Sequence, residues 1–213
     1  MVEEKTLENK TENLVKAERF FKLGDQYGET ANLLLETLIN NGNSNAGIGK
    51  TAEEAQKNME KTALKSDLYL FIPAIFNCLQ TTELFTKGLL LLNDKTFQKT
   101  HSIEKLLEEI AISYGETSEI NQALRDFYEC QINIIEKYKQ TNGLINSHDL
   151  YMSFRYPEIT IKIKGEEKKE QQVDVDYTDL MCNGNCGIKQ FKILQRKLQR
   201  VKSAVVNEYH NRY

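Results

Sequence analysis

A chain of 213 residues, 40% hydrophobic and 28% charged, has material for one sizeable core and the composition of a globular protein, which excludes a disordered one. Its formal net charge of −3 excludes a global positive field that would draw it onto nucleic acid, so any such binding must come from a local patch. Only two prolines, Pro73 and Pro157, interrupt the chain, which leaves long stretches free to be helical.

The first residues, MVEEKTLENK, carry two early glutamates and no apolar centre, so no secretory signal is expected there. No apolar run approaches the roughly 18 residues that span a bilayer, and the expectation is a cytoplasmic protein without membrane contact. In a reducing compartment Cys78, Cys130, Cys182 and Cys186 default to free thiols.

From Leu14 to Ile39, residues Leu14, Ala17, Phe21, Gly24, Gly28, Ala31, Leu35 and Leu38 recur at three- and four-residue steps, which predicts an amphipathic helix. Each mid-helix glycine costs about 1 kcal/mol relative to alanine, so Gly24 and Gly28 are expected where a neighbouring helix comes close. Asn40, Asn41 and Gly42 should end that helix. The segment that follows closes in Gly47-Ile48-Gly49-Lys50-Thr51, like the tail of a phosphate-binding loop, but Ser44 stands where that loop needs glycine and no strand precedes it. A capping box of Thr51 with Glu54 opening the next helix accounts for the same residues.

Polar helical material from Ala52 to Lys65 leads into the stretch around which the chain is organised, Leu70 to Leu107. Pro73 there either kinks a helix or marks its start. Phe76, Leu79, Glu83, Lys87 and Leu90 share a helical face, so two opposite charges lie one turn apart on an otherwise apolar surface. Desolvating a lone charge costs several kcal/mol; the pair is either a structural brace or part of a site. The helix is expected to end at Asn93-Asp94, and Thr100-His101-Ser102 offers caps for another carrying Ile103, Leu106, Leu107 and Ile110.

After Gly115 a helix from Ser118 to Lys139 is predicted, with Ile120, Leu124, Phe127, Ile134 and Tyr138 on one face and Asn142-Gly143 as its stop. LINSHDLYMSFRYPEI shows no helical stripe. Ile159, Ile161 and Ile163 then alternate with polar residues, GEEKKE turns, and Val173, Val175 and Tyr177 alternate again, which is a β-hairpin. The last helix runs from Ile188 to Tyr209, with Phe191, Leu194, Leu198, Val201 and Val205 facing inward.

These pieces together resemble the HEPN family: Pro73 leading a helix with Glu83 and Lys87, then His101 with Leu106-Leu107, then Tyr151 and Arg155-Tyr156-Pro157, then a closing helix. The resemblance implies a mainly α fold, a HEPN-like bundle of five to six helices within one domain of residues 1–213, with the hairpin of residues 158–178 inserted before the last helix. It also implies a toxin-antitoxin or phage-defence setting, a homodimer, and association with RNA or nucleotide. Many members are metal-independent ribonucleases with an arginine followed by a histidine about five to seven positions on. There the imidazole moves a proton at the ribose 2′-hydroxyl and the guanidinium grips the phosphate.

Here no arginine has a histidine at that spacing; the nearest echo is Arg125, with Cys130 in the histidine's place. A non-cleaving, degenerate member is the first expectation. The alternatives are a ribonuclease with an atypical site drawn from Arg125, His101 and His148, and a module that docks a protein through the hairpin or last helix. A ligand pocket would be built from Glu83, Lys87, His101 and Arg155.

Phosphate contacts would come from Lys189, Lys192, Arg196 and Arg200, on one face of a segment, Ile188 to Tyr213, with seven cationic residues and one acidic one. The same face also reads as a solvated balance to an acidic body. Cys182 and Cys186 bracket a turn and are weak metal candidates without a second ligand pair, with a disulfide or free thiols as alternatives. No cofactor is expected.

Overall fold

The computed structural model describes residues 2–44, 50–97, 101–162, 170–176 and 188–212. The fold is mainly helical: α1 (Val2–Ser44), α2 (Ala52–Leu92), α3 (Ile103–Tyr114), α4 (Glu119–Ile134), α5 (Glu136–Thr141), α6 (Ser147–Ser153) and α7 (Ile188–Asn211), with the antiparallel strands β1 (Glu158–Lys162) and β2 (Glu170–Asp174) before α7. Among the described residues, no helix is long and apolar enough to cross a membrane.

Helix α2 is the axis of the structure, and α1, α3, α4 and α7 all pack on it. From Thr81 to Leu92 every residue is buried, the pattern of a helix covered on all sides rather than on one stripe. Its threonines are satisfied internally: the Thr81, Thr82 and Thr86 hydroxyls donate to the carbonyls of Asn77, Cys78 and Thr82 at 2.8, 3.0 and 2.6 Å. Pro73 neither starts nor breaks α2, which runs through it for 41 residues. The Asn77 side chain donates to the Pro73 carbonyl at 2.6 Å one turn on.

The α1–α2 contact is keyed by glycines. A Cβ on Gly24 would stand 2.6 Å from the Phe85 ring, and one on Gly88 2.5 Å from the Phe21 ring. Each helix thus offers a glycine to the other's phenyl group. At Gly28 an added Cβ would meet Thr81 at 3.5 Å, an ordinary contact, so the close approach expected of both α1 glycines holds at Gly24 only.

Several boundaries differ from the sequence reading. α1 begins twelve residues before Leu14 and runs past Asn40 to Ser44, because polar residues sustain a helix once its inner turns are docked. The Thr51 hydroxyl accepts from the Glu54 amide at 3.1 Å, and the Glu54 carboxylate accepts from the Lys50 amide at 2.9 Å, a capping box shifted by one residue at its return bond. Gly47 to Gly49 lie outside the described residues. The predicted helix over 118–139 breaks at Ile135 into α4 and α5, and LINSHDLYMSF contains the short helix α6, capped by Asn146 accepting from the Asp149 amide. Seven residues, about two turns, are too few to show a periodic stripe, so α6 is invisible to that criterion. Gly115 and Gly143, at φ 92° and 64°, end α3 and α5.

The hairpin pairs Ile159 with Val173 and Ile161 with Gln171. Ile159 and Ile161 are buried, whereas β2 is almost wholly exposed. Ile163, residues 165–169 of the predicted turn and Tyr177 lie outside the described residues, and Glu170, expected to close the turn, opens β2. In α7, Phe191, Leu194, Leu198, Val201 and Val205 are buried as their spacing requires.

Candidate functional site

The middle of α2 presents Glu83 and Lys87 to the start of α3. Lys87 Nζ donates to Glu83 Oε1 at 2.5 Å, with side chains 10% and 4% exposed. His101, just before α3 and 60% exposed, has Nδ1 at 3.1 and 3.3 Å from the two Glu83 oxygens. A carboxylate only accepts, so Nδ1 carries a proton toward Glu83, and in the neutral ring the lone pair is then on Nε2. Lys87 Nζ also lies 5.6 Å from the Phe97 ring centre. The exposed His148 ring sits 6.3 Å from that of His101 at 23°, and Tyr151 meets His101 edge-on at 6.0 Å.

The Tyr151 hydroxyl is buried and makes no hydrogen bond of good geometry. Burial, followed by the charge of the nearby Glu83 carboxylate, pushes this phenol far above its usual range.

A second polar cluster supports the first. Glu104, in the first turn of α3, accepts from the Tyr128 hydroxyl, from the Ser147 amide at 3.0 Å and hydroxyl at 2.7 Å, and from the Ser102 hydroxyl at 3.0 Å. Burial alone would raise the Glu104 carboxyl, but the hydrogen bonds outweigh it and hold the group below the usual carboxylate range. Ser147 Oγ also lies 3.0 Å from the His101 carbonyl oxygen, which shares the hydroxyl's single proton with Glu104, and Oγ accepts from the Ile103 amide at 2.9 Å. The segments bearing His101 and His148 are thereby fastened together. Periodicity did not reveal this cluster; the signal available was an acidic residue in the first turn of α3.

Of the proposed pocket, Glu83, Lys87 and His101 come together and Arg155 does not. Arg155 is exposed, with its guanidinium 5.8 Å from the Tyr156 ring and no described hydrogen bond to Glu83. The catalytic candidates also separate. His101 and His148 are neighbours, while Arg125 bonds Asn121 Oδ1 at 3.1 Å and the Leu107 carbonyl at 3.4 Å, tying α4 to α3. Cys130 lies half-buried on α4, its thiol raised first by burial.

The basic face of α7 is divided. Lys197 and Arg200 both pair with Asp126 of α4, at 3.4 and 2.9 Å, and Lys202 pairs with Asp25 and Glu29 of α1. Lys189 and Lys192 are exposed and form no ion pair among the described residues, and Arg196 is exposed with its Nε donating to the Lys192 carbonyl at 3.4 Å. Two surface cavities flank α7. One of about 390 Å3 includes Tyr114, Glu119 and Arg212, and one of about 440 Å3 includes Glu129, Cys130 and Lys197. Cys182 and Cys186 lie outside the described residues; among those described, no group of three or more His, Cys, Asp or Glu residues is placed to hold a metal ion.

Residues 48–175, which contain the central helix with its Glu–Lys pair, the histidine at the head of the next helix and the Arg-Tyr-Pro segment, match a family model described as HEPN domain. The chain belongs to the HEPN family. The match contains α2 to β2 and leaves α1 and α7 outside it, although both pack on α2. No curated protein and no solved structure shows a significant match to the chain.

Proposed function

We propose that this HEPN domain associates with RNA or nucleotide without cutting it, in a toxin-antitoxin or phage-defence setting, as a homodimer of one-domain chains. The observation that carries the reading is the state of Arg125. It is the arginine whose surroundings come nearest to the family's ribonuclease spacing. Its guanidinium is spent on Asn121 and the Leu107 carbonyl, and the residue five positions on is a cysteine whose thiol is raised by burial. A thiol raised in this way is a poor proton carrier near neutral pH. The Glu83–Lys87–His101 cluster supports the same reading, because its charges are neutralised within the protein and brace α2 against α3.

Phosphate contact falls to the first half of α7, where Lys189, Lys192 and Arg196 face solvent. Arg200, expected among these contacts, contributes less because Asp126 neutralises it. The test is incubation of labelled single-stranded RNA with excess protein in chelator, together with binding measured across a salt series. Binding that weakens with salt and is lost in Lys189→Glu/Lys192→Glu, with intact RNA throughout, is the expected result. RNA fragments that disappear in His101→Ala would instead establish the atypical ribonuclease. The outward face of β2, exposed along nearly its whole length, favours a protein partner as the second reading; it gains ground if RNA binding is absent at low salt.

A further inference from the structure

The reading above uses His101 only through its bond to Glu83 and leaves the outward side of His101 and all of His148 without a role. Both rings are exposed, and among the described residues neither makes a hydrogen bond at Nε2. His101 is oriented from behind: Nδ1–H donates to the buried Glu83 carboxylate, which fixes the tautomer and directs the Nε2 lone pair away from Glu83. A carboxylate behind an imidazole is the arrangement that fixes metal-ligating histidines and strengthens their basicity. His148 follows Ser147, whose Oγ accepts from the Ile103 amide at 2.9 Å and lies 3.0 Å from the His101 carbonyl oxygen, so the backbones carrying the two rings are already held side by side.

From this geometry we infer that His101 and His148 clamp a borderline divalent transition-metal ion of the zinc, nickel or copper type, with Glu83 as the orienting group. Metal–nitrogen bonds of about 2.0–2.1 Å place two rings that share an ion roughly 5–6 Å apart between centres. The rings here stand 6.3 Å apart with 23° between their planes, and the exposed His148 side chain has to turn for its free nitrogen to face the same point as His101 Nε2. Imidazole nitrogen selects these ions over magnesium or calcium, which take oxygen ligands. Among the described residues no third ligand joins the two histidines. The remaining coordination positions therefore belong to water, and an oxygen-bearing molecule can exchange into them. The site does not depend on whether the protein holds RNA.

The experiment is calorimetric titration of the full chain with Ni2+, Zn2+ and Mg2+, in a Cys182→Ser/Cys186→Ser background that removes the competing thiols. One Ni2+ or Zn2+ per chain and no Mg2+ is expected, with affinity falling at least tenfold in His148→Ala and in His101→Ala. Circular dichroism of each variant checks that the fold is kept. In the chain without histidine substitutions, Co2+ should broaden the imidazole resonances of His101 and His148 selectively, a readout that needs no folding of a variant. Absence of binding, affinity unchanged in His148→Ala, or broadening confined to His210 would each overturn the inference. Loss of RNA binding with metal binding intact would refute only the RNA reading.

Discussion

Replacing Glu83 with glutamine tests whether the Glu83–Lys87 pair is an internal brace. An exposed i, i+4 pair contributes about 0.2–0.5 kcal/mol. At 4% and 10% exposure the pair belongs to the buried regime, where removing one partner strands the other charge and costs about 3–5 kcal/mol. For a chain of this size each kcal/mol lowers Tm by about 2–4 °C, so Glu83→Gln should melt roughly 6–20 °C below the parent. His101 softens this little, because its ring is exposed and water can take the Nδ1 proton. The double variant Glu83→Met/Lys87→Met removes both charges and should recover most of the loss. Urea unfolding of the parent, Glu83→Met, Lys87→Met and the double variant closes the cycle. A single-variant loss below about 1 kcal/mol, or losses that simply add, would refute the brace, since those are the marks of a solvent-screened pair.

Two glycines of α1 should respond in opposite directions. Gly24→Ala drives a methyl into the Phe85 ring and should cost about 1–3 kcal/mol, whereas Gly28→Ala meets only ordinary contacts and should gain about 0.5–1 kcal/mol; urea midpoints decide both. Asp126→Asn releases Lys197 and Arg200 and should steepen the salt dependence of RNA binding while changing stability by under about 1 kcal/mol. The Glu104 carboxyl is held low in the folded state, so the unfolded chain binds its proton first as pH falls. Its stabilising contribution is present above the unfolded value near 4.3 and is lost on acidification through the folded value. Unfolding free energies of Glu104→Gln and parent, measured from pH 7 to pH 3, should therefore converge on the acid side; a constant gap would count against the hydrogen-bonded carboxylate.

How far the sequence reaches depends on the length of each element and on how local its cause is. α3, α7 and the hairpin were legible because their apolar periods repeat within one segment. The break at Ile135 and the short helix α6 were not, since tertiary packing decides both. In the site, Glu83, Lys87 and His101 could be grouped because a charged pair on an apolar face demands partners. Arg155 could not be placed, because its sequence neighbourhood says nothing of which way the residues after α6 turn. The Asp126 pairs that neutralise Arg200 join residues 74 positions apart, and no local pattern encodes them.

The reciprocal glycine sockets between α1 and α2 also constrain motion. A slide of α1 by one turn in either direction would carry Phe21 off Gly88 and press its ring against Leu84 or Leu92, even though one of the two directions would bring Gly28 under Phe85. Translation along the common axis is thus closed to this helix pair. A mechanical signal arriving at the exposed length of α1 can enter the HEPN segment only as a tilt or a rigid rotation of α1 and α2 together.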